Sequence, residues 1–300
     1  MNEFLLLVEV GIIDGAFLAI SAVGFSMQFG VTNYVNFAYA SFITFGAYCA
    51  YLLDSGPLHA NFLVDLVGAA IGTAALSFLI GSFVYTPFAR RRPQLLFGLV
   101  LTFCMWLILD NLLLGIFGYD YRELTYTSGS ASNIGQFGPF QMSPIEGVFL
   151  LVAVVTLGSV HGLLRYTRLG RSMRAMSDDH SLALVCGLNT KRIVRLTWII
   201  TGVLGGVAGF VQANQLRAFD PGIGDTYIYL VIAAVIVGGI GRPYGAALGA
   251  LIIGIVSELS VPIIGAALSP VAIFGVLICL MLFRPAGLFG STGRSQFENA

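Results

Sequence analysis

Between Asp14 and Asp54 the chain runs for 39 residues without a single charged side chain. A soluble fold cannot hide such a stretch, because its elements must alternate between a buried and a solvated face. As one straight helix it would extend roughly 58 Å at about 1.5 Å per residue. A bilayer's hydrocarbon core is about 30 Å thick and is crossed by about 20 helical residues. The run therefore enters a membrane and turns, and Gly30-Val31-Thr32-Asn33 is the predicted turn, since glycine and asparagine are poor helix formers. The rest of the chain agrees. Hydrophobic residues make up 57% of the 300 and charged residues 10%, with a mean hydropathy of +0.88. A water-facing surface needs about 25% charged residues. The sequence thus specifies an all-α polytopic membrane protein, read as a single transmembrane domain over 1–300.

Charge-free runs predict nine apolar helices, at about 4–26, 32–53, 62–84, 94–117, 146–164, 196–215, 226–241, 244–260 and 264–283. Several are short, which makes eight or nine crossings the expectation, with one or two broken or half-spanning. The N-terminus has no basic region and no small-residue cleavage site of a secretory signal, so the first apolar segment is expected to stay. Every basic residue except Arg122 and Arg217 falls in loops on one side of this path: Arg90–Arg92, the seven between Arg165 and Arg195, Arg242, Arg284 and Arg294. The excess of Lys and Arg in cytoplasmic loops puts the C-terminus inside and, with nine crossings, the N-terminus outside. Segment 118–145 is then an external loop and 165–195 a cytoplasmic one.

The cytoplasmic segment carries the densest information. Asp178 or Ser177 can cap a short helix with apolar positions at Leu182, Ala183 and Val185. Gly187 suits the left-handed position that ends a helix, and Asn189 or Thr190 can cap the next helix, which runs into the membrane. A plain connection would be short; a capped helix–turn–helix with basic flanks reads as a docking surface. Ionisable residues in the apolar zones, namely Asp14, Asp65, Asp110 and Glu258, are costly there and each warrants a role. Asp110, Asn111 and Glu258, together with Asn33 and Asn36 at the break in the long run, are the candidates for a polar path. Gly202, Gly205, Gly206 and Gly209, and Gly241, Gly245 and Gly249, have the spacing of close helix–helix packing.

Other chemistry is not indicated. The chain has no GxxxxGK[ST] loop, no HExxH and no GxSxG, so it is not expected to hydrolyse ATP or to be an enzyme. Cys49, Cys104, Cys186 and Cys279 are far apart, and adjacent Asp178, Asp179 and His180 point different ways on a helix. No metal and no cofactor are expected, and zero formal net charge gives no case for nucleic acid.

Four stretches in order carry a resemblance. They are Asn36-Phe37-Ala38 with Gly46-Ala47-Tyr48; Arg174, Ala175, Asp178, Ala183, Gly187, Leu188 and Asn189 followed by Gly205-Gly-Val-Ala-Gly209; Val237-Gly-Gly-Ile-Gly241 with Gly245-Ala-Ala-Leu-Gly249; and the tail Phe283–Gly290. The chain resembles the permease subunits of bacterial branched-chain amino acid ABC importers over nearly its whole length. It differs from the family pattern at Tyr39-Ala40 and at Thr102-Phe-Cys104. The resemblance implies an inner-membrane permease that forms the pathway for branched-chain or other small amino acids. It also implies a sister permease in a homo- or heterodimer, two cytoplasmic ATPases and an external binding protein. The 165–195 segment, with Arg174, Asp178, Ala183, Gly187 and Asn189, would couple to the ATPases. Two alternatives remain at this point: a related permease for urea or short amides, and an ion-coupled carrier using Asp14, Asp65, Asp110 or Glu258.

Overall fold

A computed structural model describes residues 2–56, 61–91, 95–124, 144–216 and 218–289. Within them the chain is almost wholly helical, and seven helical stretches are long and apolar enough to cross a bilayer. One shorter apolar helix, Ile223–Gly238, joins them among the described residues, where the sequence predicts eight or nine crossings.

The first helix, α1 (Asn2–Thr32), is longer than expected, about 46 Å at 1.5 Å per residue. It ends at Asn33, whose amide still bonds Phe29 at 2.7 Å while its φ of +59 turns the chain out of the helix. Asparagine tolerates that left-handed conformation better than other residues with a side chain. The break is therefore 33–38 rather than 30–33, and α2 (Tyr39–Asp54) starts seven residues later than predicted. The Tyr39 ring meets Phe25 edge-on at 5.7 Å. Since Phe25 lies about two turns before the end of α1, α2 begins part-way up the bundle.

Next come α3 (Phe62–Ile80), a π turn (Gly81–Tyr85) and α4 (Thr86–Arg91), which form one continuous rod. The wide turn is closed by the Thr86 hydroxyl on the Gly81 carbonyl at 2.7 Å, and the Trp198 ring lies directly against Gly81. The chain continues through α5 (Leu95–Phe117) and α6 (Pro144–Tyr166), then α7 (Arg168–Asp178), α8 (His180–Val185) and α9 (Thr190–Gln215). The last three helices are α10 (Ile223–Gly238), α11 (Pro243–Ile264) and α12 (Ser269–Phe283). Two short antiparallel strands, β1 (Arg122–Glu123) and β2 (Ala218–Phe219), pair Arg122 with Phe219 and Glu123 with Ala218. Most of the expected external loop, 125–143, lies outside the described residues, as do Arg92, Arg217 and Arg294.

Glycines set the helix spacing. A Cβ on Gly46 of α2 would stand 2.6 Å from the Gly206 Cα of α9, and one on Gly254 of α11 would stand 2.6 Å from the Gly15 Cα of α1. Gly202 meets α3, and Gly249 meets α10. In a bilayer, where lipid is as apolar as leucine, such backbone contact and its dispersion energy hold helices together. The predicted packing role thus holds for Gly202, Gly206, Gly209, Gly245 and Gly249. Gly241 differs, because it sits in the α10–α11 turn with φ +79. The interior is sealed by fully buried Trp198, Tyr39, Phe42 and Phe210.

Candidate functional site

Two polar regions stand at opposite ends of the bundle. The first is the elbow α7–α8 and the start of α9. Thr167 caps α7, its hydroxyl oxygen accepting from the Gly170 amide at 3.0 Å. Met173 and Met176 are buried beneath α7 while Arg171 and Arg174 are exposed, so the helix lies with one face against the bundle. The α8 cap is Asp179, not Asp178 or Ser177. Its carboxylate accepts from the Ser181 hydroxyl at 2.6 Å and the Leu182 amide at 2.9 Å. These two bonds hold the Asp179 carboxyl below the usual carboxylate range. Asp178 is the last residue of α7 and is exposed. The one-residue shift arises because Asp179 has extended backbone, φ −154 and ψ 109, as an N-cap requires, whereas Asp178 is still helical.

Beyond α8 the chain closes a Schellman turn. The Gly187 amide bonds the Leu184 carbonyl at 3.0 Å, and the Leu188 amide bonds the Ala183 carbonyl at 3.2 Å. Gly187 has φ +78, as expected from the sequence, and open space where a side chain would project. Asn189 then caps α9, accepting from the Arg192 amide at 3.1 Å. Ala183 is buried, but Leu182, Leu184 and Val185 are exposed, Val185 at 85%. The elbow also touches two other elements: the Ser177 hydroxyl reaches the Gly241 carbonyl at 3.4 Å and lies against Gly30 near the end of α1. The tail is strapped to the same end, Leu288 and Phe289 amides bonding Val237 and Gly238, and Arg242 bonding the Phe289 carbonyl.

The second region runs along α5. Thr102, Trp106 and Asp110, four residues apart, form a polar stripe on one face of that helix. The Thr102 hydroxyl bonds the Val35 carbonyl in the α1–α2 break at 3.0 Å. Trp106 donates its indole N–H to Asp225 of α10 at 2.6 Å, and the Asp110 carboxyl meets the same group. Asn36 is buried and donates to the Gln28 side chain at 3.1 Å. Thr44 links α2 to the start of α10, accepting from the Gly224 amide at 3.1 Å and donating to the Pro221 carbonyl at 3.3 Å.

The five path candidates are therefore not one site. Asp110 lies on the α5 stripe, whereas Asn36 is buried in the α1–α2 break against Gln28. Asn33 is exposed at the start of that break, and Asn111 is exposed and bonds back to its own helix at Leu107. Glu258 belongs to a separate group with Asp14, whose carboxylate accepts from Gln215 at 2.8 Å and thereby ties α1, α9 and α11. Sequence reasoning missed Asp225 because it started that helix at 226, when the helix begins at Ile223. It also missed Trp106, although the i, i+4, i+8 spacing with Thr102 and Asp110 was legible.

A glycine-zipped helical bundle with seven helices long and apolar enough to cross a bilayer, a polar stripe and a capped elbow is a multi-pass membrane protein in its architecture. Residues 7–284 match the family described as the branched-chain amino acid transport system permease component, and the chain belongs to that family. It is 30% identical to the high-affinity branched-chain amino acid transport system permease protein BraD of Pseudomonas aeruginosa, over 93% of this chain and 94% of that one. It is 27% identical to the permease protein LivH of Escherichia coli, over 93% of each chain. The ribose import permease protein RbsC of Escherichia coli is 28% identical over 80% of this chain and 73% of its own. No solved structure matches. The protein is thus a multi-pass inner-membrane permease subunit of an ABC importer.

Proposed function

We propose that this chain forms the translocation pathway for branched-chain amino acids and pairs with a sister permease, the same chain or a second one. In this reading two cytoplasmic ATPases dock on the elbow, and an external binding protein delivers substrate at the other end. The basic end of the bundle, with the elbow and the C-terminal tail, faces the cytoplasm. The observation that carries the docking role is the elbow's construction. Its exposed Leu182, Leu184 and Val185 are presented on a helix capped at both ends, and the helix before it rests on Gly30 and Gly241. A push on such a helix reaches α1 and the α10–α11 turn without being absorbed in a loose loop. The likeness to BraD and LivH supports the substrate class, and an ion-coupled carrier would have no use for such a surface.

The test is Gly187→Val. Nothing crowds the position, so the bundle should insert and fold normally. A β-branched residue resists φ near +78, at a cost of roughly 1–2 kcal/mol, and adds bulk where a partner would approach. Membrane levels should match the wild type, while uptake is lost and the ATPases dissociate or hydrolyse ATP without transport. Full uptake with normal ATPase association would overturn the docking role.

A further inference from the structure

The β1–β2 end of the bundle gathers three carboxyls that no salt bridge among the described residues reaches. Asp225, in the first turn of α10, is fixed by the Trp106 indole at 2.6 Å and meets Asp110 across the gap. Asp220, in the link from β2 to α10, is an electrostatic neighbour of both, so three carboxyls converge from two helices and a loop. Among the described residues the salt bridge at this end is Arg122 with Asp120, at 3.7 Å, and none reaches Asp110, Asp220 or Asp225. Partly buried carboxylates without a cation cost free energy that an arriving cation recovers.

A second observation points to a ligand independently of the carboxylates. Tyr48 of α2 is fully buried, its ring stacked on Phe117 at 4.1 Å between centroids and met edge-on by Phe219 at 5.2 Å. Its hydroxyl has no hydrogen-bond partner among the described residues, and the charges it faces are Asp220 and Arg122. The Arg122 Nε is likewise buried and unpartnered, though the guanidinium reaches the Phe117 carbonyl at 3.4 Å and the Tyr51 hydroxyl at 3.5 Å. Buried polar groups gain from a partner, and of the interior groups that lack one among the described residues, Tyr48 is one that faces the charged end. Asp220 joins the two halves, being a neighbour of Tyr48 on one side and of Asp110 and Asp225 on the other.

We infer that this mouth is a recognition site for a small zwitterion, with Asp225, Asp110 and Asp220 receiving its primary ammonium and the Tyr48 hydroxyl its carboxylate. The inference rests on the amino-acid reading above and deepens it, by giving the permease itself a filter in addition to that of the delivering protein. A neutral solute such as a sugar would leave the three carboxylates uncompensated, so the site discriminates against it by charge.

The experiment uses the assembled importer in proteoliposomes, with the binding protein outside and leucine as probe. Asp225→Asn should lower leucine uptake about tenfold or more, the worth of one charge-assisted hydrogen bond. ATP hydrolysis stimulated by the loaded binding protein should persist, and Asp225→Glu should recover much of the uptake. A substrate-free measure accompanies it: Thr226→Cys, on the exposed side next to Asp225, in a background without the four native cysteines. A cationic methanethiosulfonate should label that thiol about tenfold faster than an anionic one, leucine should slow the cationic reaction, and Asp110→Asn should collapse the ratio. Unchanged uptake in Asp225→Asn, or a charge ratio near unity that leucine does not alter, overturns the site. A wild-type importer that carries no branched-chain amino acid, yet keeps the charge ratio, counts against the substrate reading and not against the acidic mouth.

Discussion

The elbow and the membrane interior handle polar groups in opposite ways. In the elbow the capping side chains bond within three residues of themselves, Thr167 to Gly170, Asp179 to Leu182 and Asn189 to Arg192, while Ser177 reaches outward to Gly241. In the bundle the important bonds join helices far apart in sequence. Trp106 meets Asp225, Thr44 meets Gly224, Gln215 meets Asp14 and the Ser77 hydroxyl meets the Trp198 carbonyl. Several interior groups, including the hydroxyls of Tyr39 and Tyr85 and the indole N–H of Trp198, have no partner among the described residues. The elbow is therefore a self-sufficient unit whose shape survives a change of neighbours, as a surface that has to be grasped should. The interior depends on helix spacing and so can respond to a change in it.

That contrast can be broken most severely at the glycine seams. Gly206→Val would drive a Cβ into the Ala69 backbone and within 2.9 Å of the Thr73 hydroxyl, so a loss of about 3 kcal/mol is expected. Thermal unfolding in detergent should show it as a large drop in melting temperature and in yield. Gly158→Ala is the matched control. Nothing lies within 4 Å of that position on α6, and the change should be neutral or stabilising by up to about 1 kcal/mol. Equal damage from both would refute the view that spacing, not composition, holds the bundle.

A smaller effect is expected in the elbow. Asn189→Ala removes the cap of α9 and should cost about 1 kcal/mol, seen as faster amide exchange at Lys191 and Arg192 with no change in the glycine seams. If exchange also rose along α2 and α3, the elbow would not be self-contained.

Acid sharpens the same comparison. The Asp179 carboxyl is held below its ordinary value by Ser181 and Leu182, so its cap contributes fully above the ordinary carboxylate range. The contribution fades as pH falls through the depressed folded-state value. Between pH 6 and 8 the exchange of the Leu182 amide, corrected for its intrinsic pH dependence, should be flat. Below about pH 4, where free Asp titrates, its protection should fall, and Asp179→Asn should remove most of that pH dependence.

The smallest effect concerns the break. Asn33→Gly relieves a left-handed residue and should stabilise by up to about 1 kcal/mol. Asn33→Val should destabilise by a similar amount, read from the same melting curves.

The membrane class, the approximate places of the apolar segments and the elbow's Gly187 and Asn189 were all legible in the sequence. Each rests on local rules: charge is costly in lipid, and helix ends need caps and left-handed residues within a few positions. The same locality explains the near misses. Asp178 and Asp179 offer the same side chain, and only the extended backbone at the second makes it the cap. Asp225 fell one residue outside the predicted helix and so was not weighed with Asp110. What the sequence could not order was which interior polar groups meet. Asp110 joined the α5 stripe, Asn36 met Gln28 of α1, Asn111 turned back on its own helix, and Glu258 went to Asp14, a residue far away in the chain. Periodicity places a residue on a face of its own helix. Which helix lies opposite that face was settled by backbone contacts such as Gly46 on Gly206 and Gly254 on Gly15, which exist only once the whole bundle has packed.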